Sequence, residues 1–283
     1  MKIVVTGSSG FLAQYFKIFS TYKAEDITFL TTSTVVDSQL LCSPLYENIE
    51  TVLAGQDIDV IIHFAAVIPT SFINSNYKLF LENNEMMNNL YEFSIKNNLK
   101  KFIYLSSFGS MLNPVKLDVK DFYTMSKITG EHFCSLLEAK NIQTASLRIS
   151  APYGEYSNAR TVLNIFIEKA MNNEVIEVFG TGKREQNFTY AGDIINAIEL
   201  LLEHKVSGVY NIVSKENTNM LDLASVIIKL TKSSSEIVSG NNTDIQENYA
   251  PEYDYIRAKE AFNYEPMYSI ERGLNRYIQW LKQ

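Results

Sequence analysis

Short apolar runs alternate along this chain with longer stretches in which apolar residues recur every three or four positions. Lys2–Val5, Ile27–Leu30, Val60–Phe64, Phe102–Leu105 and Ala145–Ile149 are apolar enough to be covered on both faces, which predicts buried parallel strands. Between them, Phe11–Phe19, Glu47–Leu53, Glu82–Asn97 and Phe122–Lys140 carry the helical period. That alternation predicts an α/β fold, a doubly wound parallel sheet with right-handed crossovers and helices on both faces. Its ligand is expected at the carboxyl ends of the strands. Beyond Pro152 the rhythm changes, and a smaller mixed α/β lobe is expected. A helix at Thr161–Met171 precedes strands at Val175–Phe179 and Asn187–Tyr190, which flank a Gly-Thr-Gly turn. Asp193–Leu202, Leu221–Leu230 and the amphipathic Ile270–Leu281 read as helices, and Val209–Ile212 as a strand. The Ser233–Asn242 stretch, rich in Ser, Gly and Asn, is expected to be the most mobile loop. There is no internal repeat.

The first strand runs into Thr6-Gly7-Ser-Ser-Gly10-Phe-Leu-Ala13. Gly7 permits a tight turn, and Gly10 opens a helix whose free N–H groups and positive dipole end face an anion. This spacing differs from the G-x-G-x-x-G dinucleotide fingerprint in the place of its first glycine. A strand-to-helix turn with small residues for close packing is the alternative.

Composition narrows the partners. The net charge of −7 over 283 residues argues against a nucleic-acid polymer, whose binding needs basic surface. A small anionic ligand remains compatible, because it needs only local positive potential. Cys42 and Cys134 supply neither a disulfide framework nor metal spacing, and His63, His132 and His204 are scattered, so no metal site is expected. No apolar run approaches a membrane span, and the first residues already read as a strand rather than a leader. A cytoplasmic protein with a small-molecule partner and no membrane contact is the expectation.

Acid–base chemistry is offered by Tyr123-Thr-Met-Ser-Lys127. Residues four apart share a helix face, so the phenol and the ammonium can meet. A nearby cation favours the phenolate, which makes tyrosine useful in proton transfer near neutrality. An exposed tyrosine and lysine on an amphipathic helix would read the same way. Position favours chemistry: the pair opens a helix after a strand ending Tyr104-Leu105-Ser106-Ser107, where the ligand of such a sheet belongs.

Taken together, these residues resemble the extended short-chain dehydrogenase/reductase family, the branch of NAD-dependent epimerases and dehydratases that modify nucleotide sugars. Nearly the whole chain takes part. Thr6–Ala13 resembles the family's glycine loop, and Asp59-Val-Ile-Ile-His63-Phe64-Ala65-Ala66 its signature beside the cofactor. Asn83 matches a structural asparagine, Ser107 the catalytic serine, and Arg148-Ile-Ser-Ala-Pro152-Tyr-Gly154 the segment ending the sixth strand. Gly180-Thr-Gly182, Asn187–Asp193 and Asn263-Tyr-Glu-Pro266 resemble later landmarks. The resemblance implies a Rossmann-type NAD(P)-binding domain over residues 1–150, completed by about 191–213. A substrate lobe would then comprise 151–190 and 214–283. It implies Ser107, Tyr123 and Lys127 as the catalytic set, with Lys127 lowering the Tyr123 pKa and holding the nicotinamide ribose. Cofactor contacts are implied for Gly7, Ser9, Gly10, Phe11 and Leu12, and for Phe64, Ala65, Ala66 and Asn83 beside Tyr123 and Lys127. Thr31, Thr32 and Ser33, ending the second strand, would meet the adenosine ribose.

Departures from the family pattern refine the reaction. Phe108-Gly109 follow Ser107 where dehydratases carry an acidic pair, and no cysteine neighbours it. That leaves reduction of a nucleotide-linked 4-keto-6-deoxyhexose, placed ahead of 4-epimerisation with tightly bound NAD. A non-catalytic NAD(P)-binding sensor is the third reading. No carboxylate ends the second strand at Leu30-Thr-Thr-Ser33, although Asp37 follows, so NADP is favoured slightly over NAD. Ala151 stands where an asparagine is usual and Gln186 where an arginine is usual. Substrate contacts are therefore expected from Ser107, Ala151, Tyr153, Arg184 and Gln186, with Lys183 or Arg160 as further cations. Family members pair as four-helix bundles, so a homodimer is expected through the helices holding Met86, Leu90, Phe133 and Leu137, although intramolecular core explains these apolar residues equally well.

Overall fold

The computed structural model describes residues 1–32, 41–70, 74–110, 121–240, 242–244, 247 and 252–283. Ser33 and Asp37 lie outside the described residues. The elements are β1 (Ile3–Thr6), α1 (Phe11–Phe19), β2 (Ile27–Thr31), β3 (Leu41–Cys42), α2 (Ile49–Val52), β4 (Val60–His63) and α3 (Tyr77–Lys96). Next come β5 (Lys101–Ser107), α4 (Phe122–Glu138), β6 (Gln143–Ile149), α5 (Val162–Met171), β7 (Ile176–Val178) and β8 (Glu185–Gln186). The chain continues through α6 (Ala191–Glu203), β9 (Gly208–Ile212), β10 (Thr218–Asn219), α7 (Met220–Thr231), β11 (Ile237–Ser239), α8 (Ile256–Phe262) and α9 (Ile270–Leu281).

Seven strands form one sheet in the order β3-β2-β1-β4-β5-β6-β9, with every pairing parallel. The chain begins in the middle, moves out through β2 to β3, then crosses to β4 and continues the other way. The order therefore reverses between β1 and β4, and sheets of this kind bind their ligands outside the carboxyl ends at such a reversal. Strand alternation divides the core. Ile3, Val5, Ile62, Ile103 and Leu105 pack with α1, α5, α6 and the C-terminal helices, whereas Val4, Ile61, Phe102 and Tyr104 pack with α2, α3 and α4. Both faces of the sheet are covered, as the apolar runs predict.

The smaller elements depart from expectation for local reasons. Residues 187–190 form no strand; only Tyr190 bridges to Tyr153. The Asn187 amide accepts the Ser214 N–H at 2.8 Å and donates to the Ser214 carbonyl at 2.9 Å, replacing a ladder. Within the stretch expected as a loop, Ile237–Ser239 pairs parallel with β7, its apolar residues masked in the sequence by the polar ones around them. α3 begins earlier than the periodicity suggests because Asn76 caps it, accepting the Leu79 N–H at 3.1 Å.

Met86, Leu90 and Leu137 lie in the core and Phe133 packs against it, the intramolecular role that their apolar character equally allows. The exposed apolar residues of these helices are Tyr77, Leu81, Phe122, Met125 and Leu136. No helix among the described residues is long and apolar enough to cross a membrane.

Candidate active site

The β1–α1 turn is dictated by its backbone. Gly7 sits at φ +70°, and a Cβ there would lie 2.7 Å from the backbone N and Cα of Ala65. Only glycine lets the turn close onto the segment after β4. Gly10 caps α1 without a side-chain bond, and no acidic residue occupies the first turn. Ser9 and Gly10 are exposed, Phe11 is half-buried and Leu12 is buried. The helix thus offers backbone donors and the positive end of its dipole with no carboxylate to compete for them.

Beneath the turn, Thr6 Oγ1 and His63 Nδ1 lie 2.7 Å apart, and the His63 ring stacks on Tyr104 at 5.7 Å. Burial, aided by the Lys127 charge, lowers the His63 pKa to about 3, so the imidazole is neutral at ordinary pH. Its packed role fits a scattered histidine. Phe64, Ala65 and Ala66 line the same edge, half-buried.

α4 starts where Asp121 accepts the Thr124 N–H at 2.9 Å, which places Tyr123 in the first turn and Lys127 one turn on. Ser75 Oγ accepts the Tyr123 N–H at 2.9 Å and fixes this end further. Lys127 is 4% exposed and donates from Nζ to the Leu105 carbonyl at 2.7 Å, two residues before Ser107. Its ammonium lies 4.9 Å from the centre of the Tyr104 ring and 5.7 Å from that of Tyr123. Ser107, half-buried at the end of β5, accepts the Gly109 N–H on Oγ at 3.2 Å. A Cβ on Gly109 would sit 3.5 Å from Ser107 Oγ and 3.7 Å from Thr124 Oγ1, so Gly109 bridges the space between the serine and the first turn of α4. Ser107, Tyr123 and Lys127 are therefore brought to one end of one strand–helix pair.

The protonation balance differs from expectation. Burial pushes the Tyr123 phenol above its ordinary range, with a smaller contribution from the Asp121 charge, and Lys127 does not pull it down. Burial also lowers Lys127 to about 7, against an opposing push from Glu131. Desolvation is the largest influence on both groups, disfavouring the phenolate of Tyr123 and the ammonium of Lys127 alike.

Other expected contacts are placed elsewhere. The Asn83 amide accepts from Val67 N at 2.7 Å and donates to Val67 O and Ser126 Oγ, each at 3.1 Å. It clamps the segment after β4 to α4, so its contribution to a cofactor site is positioning rather than contact. Thr31 is buried at the end of β2, leaving Thr32 as the half-buried hydroxyl there. Tyr153 is 2% exposed and packs on Tyr190 at 5.5 Å, so it is a core residue and not a substrate contact. Arg184 pairs with Asp244 at 2.6 Å and donates to Gln186 at 3.2 Å, an internal bond set where a ligand contact was expected. Gln186 lies in β8, paired with Thr218, and half-buried Ala151 adopts φ +31°. Lys183 and Arg160 are exposed. Sequence reasoning missed Glu131, although its spacing of four from Lys127 was there to read. Among the described residues, no His, Cys, Asp or Glu set gathers to hold a metal.

A dinucleotide fits this donor set. The uncapped α1 end suits a pyrophosphate, the close approach at Gly7 suits a backbone-level contact, and Lys127 has ammonium hydrogens beyond the one given to Leu105. Comparison with known proteins agrees. The chain is 26% identical over 276 residues to a dTDP-D-glucose 4,6-dehydratase of Dictyostelium discoideum, which covers 81% of this chain and 62% of that protein. It is 26% identical over 306 residues to a putative UDP-glucose 4-epimerase of Methanocaldococcus jannaschii, covering 99% of this chain and 98% of the relative. The crystal structure of UDP-glucose 4-epimerase from Thermotoga maritima superposes with a TM-score of 0.85 at 22% identity, covering 100% of this chain and 99% of that one. The profile of the NAD dependent epimerase/dehydratase family matches residues 3–213, and the chain belongs to that family, within the extended short-chain dehydrogenase/reductase enzymes that its sequence resembles.

Proposed function

We propose that this chain is a nucleotide-sugar 4-epimerase, oxidising C4 of a nucleotide-linked hexose and re-reducing it on the opposite face. The observation that carries this reading is the assembly of Ser107, Tyr123 and Lys127 at the end of β5, two strands along the sheet from the Gly7 turn. Residues 1–150 with 191–213 would hold the cofactor, and 151–190 with 214–283 the sugar nucleotide. The α1 end would hold the pyrophosphate and Lys127 the nicotinamide ribose. When bound, the nicotinamide supplies the hydride acceptor and donor. As a phenolate, Tyr123 Oη would take the O4 proton as C4 is oxidised and, then a phenol, return it as C4 is reduced, while Ser107 Oγ donates to the same oxygen. Desolvation holds half-buried Tyr123 as a phenol, the form the reductive half needs; the oxidative half needs its phenolate, which the Lys127 ammonium and a bound oxidised nicotinamide would favour.

Likeness to the Methanocaldococcus protein over nearly the full chain supports epimerisation ahead of the ketoreduction that the sequence favours. Dehydration and decarboxylation are disfavoured because Phe108-Gly109 follow Ser107, and the carboxylate that reaches this turn, Glu131, is bonded to Arg148. Net 4-keto reduction with exchangeable NADP is the second reading, favoured by the hydroxyl-rich end of β2 at Thr31-Thr32. A homodimer through the exposed faces of α3 and α4 accompanies the proposal, and a monomer in sedimentation at micromolar concentration would remove it.

Denaturing the freshly purified protein and identifying released nicotinamide by mass spectrometry tests the choice. Stoichiometric NAD supports an internal redox cycle. NADP that washes off, together with turnover of a 4-keto sugar nucleotide, would replace epimerisation by reduction.

A further inference from the structure

Behind Ser107 lies a polar network that the proton chemistry does not use. Tyr123, Lys127 and Glu131 recur every four residues on α4, so the carboxylate lies one turn beyond the ammonium on the same side. The Glu131 side chain is 9% exposed and that of Arg148, on β6, is 21% exposed. Arg148 donates from Nε to Glu131 Oε1 at 2.8 Å and from Nη2 to Oε2 at 2.6 Å, a two-pronged pair. Oε1 also accepts from Ser106 Oγ at 2.5 Å and lies 2.7 Å from Ser110 Oγ. Ser110 Oγ in turn lies 2.6 Å from the Ser107 carbonyl, so its single proton is shared between Glu131 and Ser107. The network therefore holds the residue before Ser107 by its side chain and Ser107 itself by its backbone. Successive strand residues point to opposite faces, so drawing Ser106 toward Glu131 turns Ser107 the other way, where its Oγ meets Gly109.

Stability alone is a weak reason for such an arrangement, since the desolvation of a buried ion pair offsets most of its attraction. Geometry is the better reason. Within the epimerase or reductase reading, we propose that Glu131 and Arg148 are positioning residues that set the 106–110 turn and thereby aim the Ser107 hydroxyl.

The test compares wild type with Glu131→Gln and with the apolar pair Glu131→Leu/Arg148→Met. Urea midpoints are expected to fall in Glu131→Gln and to recover in the double variant, which leaves no unpaired charge. Yet kcat is expected to drop about 10–100-fold in both, as misplacing a reacting group by about an ångström does. KM and nicotinamide affinity, read by fluorescence titration, are expected to stay within about twofold. A double variant that regains wild-type kcat along with its midpoint would overturn the proposal. A second readout does not depend on the reaction assigned. The alkylation rate of a Ser107→Cys variant, followed on the peptide by mass spectrometry, is expected to change at least about fivefold when Glu131→Gln is added, as access and environment at that position shift. An unchanged rate would also overturn the proposal, whereas an inactive wild type with the rate change intact would count against the epimerase reading alone.

Discussion

At the carboxyl ends of β1, β4 and β5, the end of α1 and the Lys127 ammonium keep donors for a ligand. Among residues 151–190 and 214–283, Tyr153 and Arg184, two of the groups expected to meet a substrate, are taken by the protein itself. On the first side, no side chain among the described residues caps the end of α1, and buried Lys127 donates to the Leu105 carbonyl at 2.7 Å. On the second side, Tyr153 is packed beneath Tyr190 and Arg184 is paired with Asp244 at 2.6 Å. The difference separates what backbone geometry dictates from what individual side chains decide. A glycine turn against Ala65 has one backbone solution, whereas what a site recognises rests on individual side chains and the partners they find.

Substitution at Gly7 should break the first side most severely. Gly7→Ala adds a Cβ 2.7 Å from the Ala65 backbone at φ +70°, which costs about 3–5 kcal/mol and moves the turn. Loss of nicotinamide binding in titration, with a lowered urea midpoint, is the expected result. Wild-type binding would mean that the turn does not hold the cofactor.

Lys127→Met sharpens the same side through pH. In the folded chain the ammonium titrates near about 7 rather than 10.5, so between those values the unfolded chain binds more protons. Wild-type stability therefore rises with pH across that window and is lowest near and below its foot. Relative to Lys127→Met, the nicotinamide-free wild type should gain roughly 2–4 kcal/mol between pH 7 and 10.5, read from urea midpoints. A difference that stays flat with pH would show that burial imposes no such cost. Turnover should be lost in this variant at every pH.

Arg184→Met probes the second side and should act least. Breaking its pair leaves Asp244 without this partner, a cost of about 1–3 kcal/mol. With Arg184 committed internally, KM for a nucleotide hexose should change less than about threefold. A tenfold rise in KM at unchanged stability would return Arg184 to the substrate site.

The legible parts of this chain are those governed by period and by backbone rule. Ile3, Val4 and Val5 divide themselves between the two cores by alternation, and Tyr123-x-x-x-Lys127 announces a shared helix face. What could not be read is long-range. Arg184 and Asp244 lie 60 positions apart, and nothing in either segment foretells their pairing. Tyr153 reads as a motif residue, but its neighbour Tyr190 comes from a bridge that no periodicity marks. The expected fall of the Tyr123 pKa failed for a related reason. Charge proximity follows from helical spacing, whereas desolvation depends on everything packed around the site.

The most direct test mixes protein carrying its nicotinamide with a UDP-hexose in a single turnover and follows the absorbance of reduced nicotinamide. Wild type should show it form and decay while the C4 epimer accumulates. Tyr123→Phe should bind cofactor equally well and slow that transient by about 10³-fold or more. A Tyr123→Phe transient at the wild-type rate would contradict proton transfer through this residue, and with it the active site assigned to these strand ends.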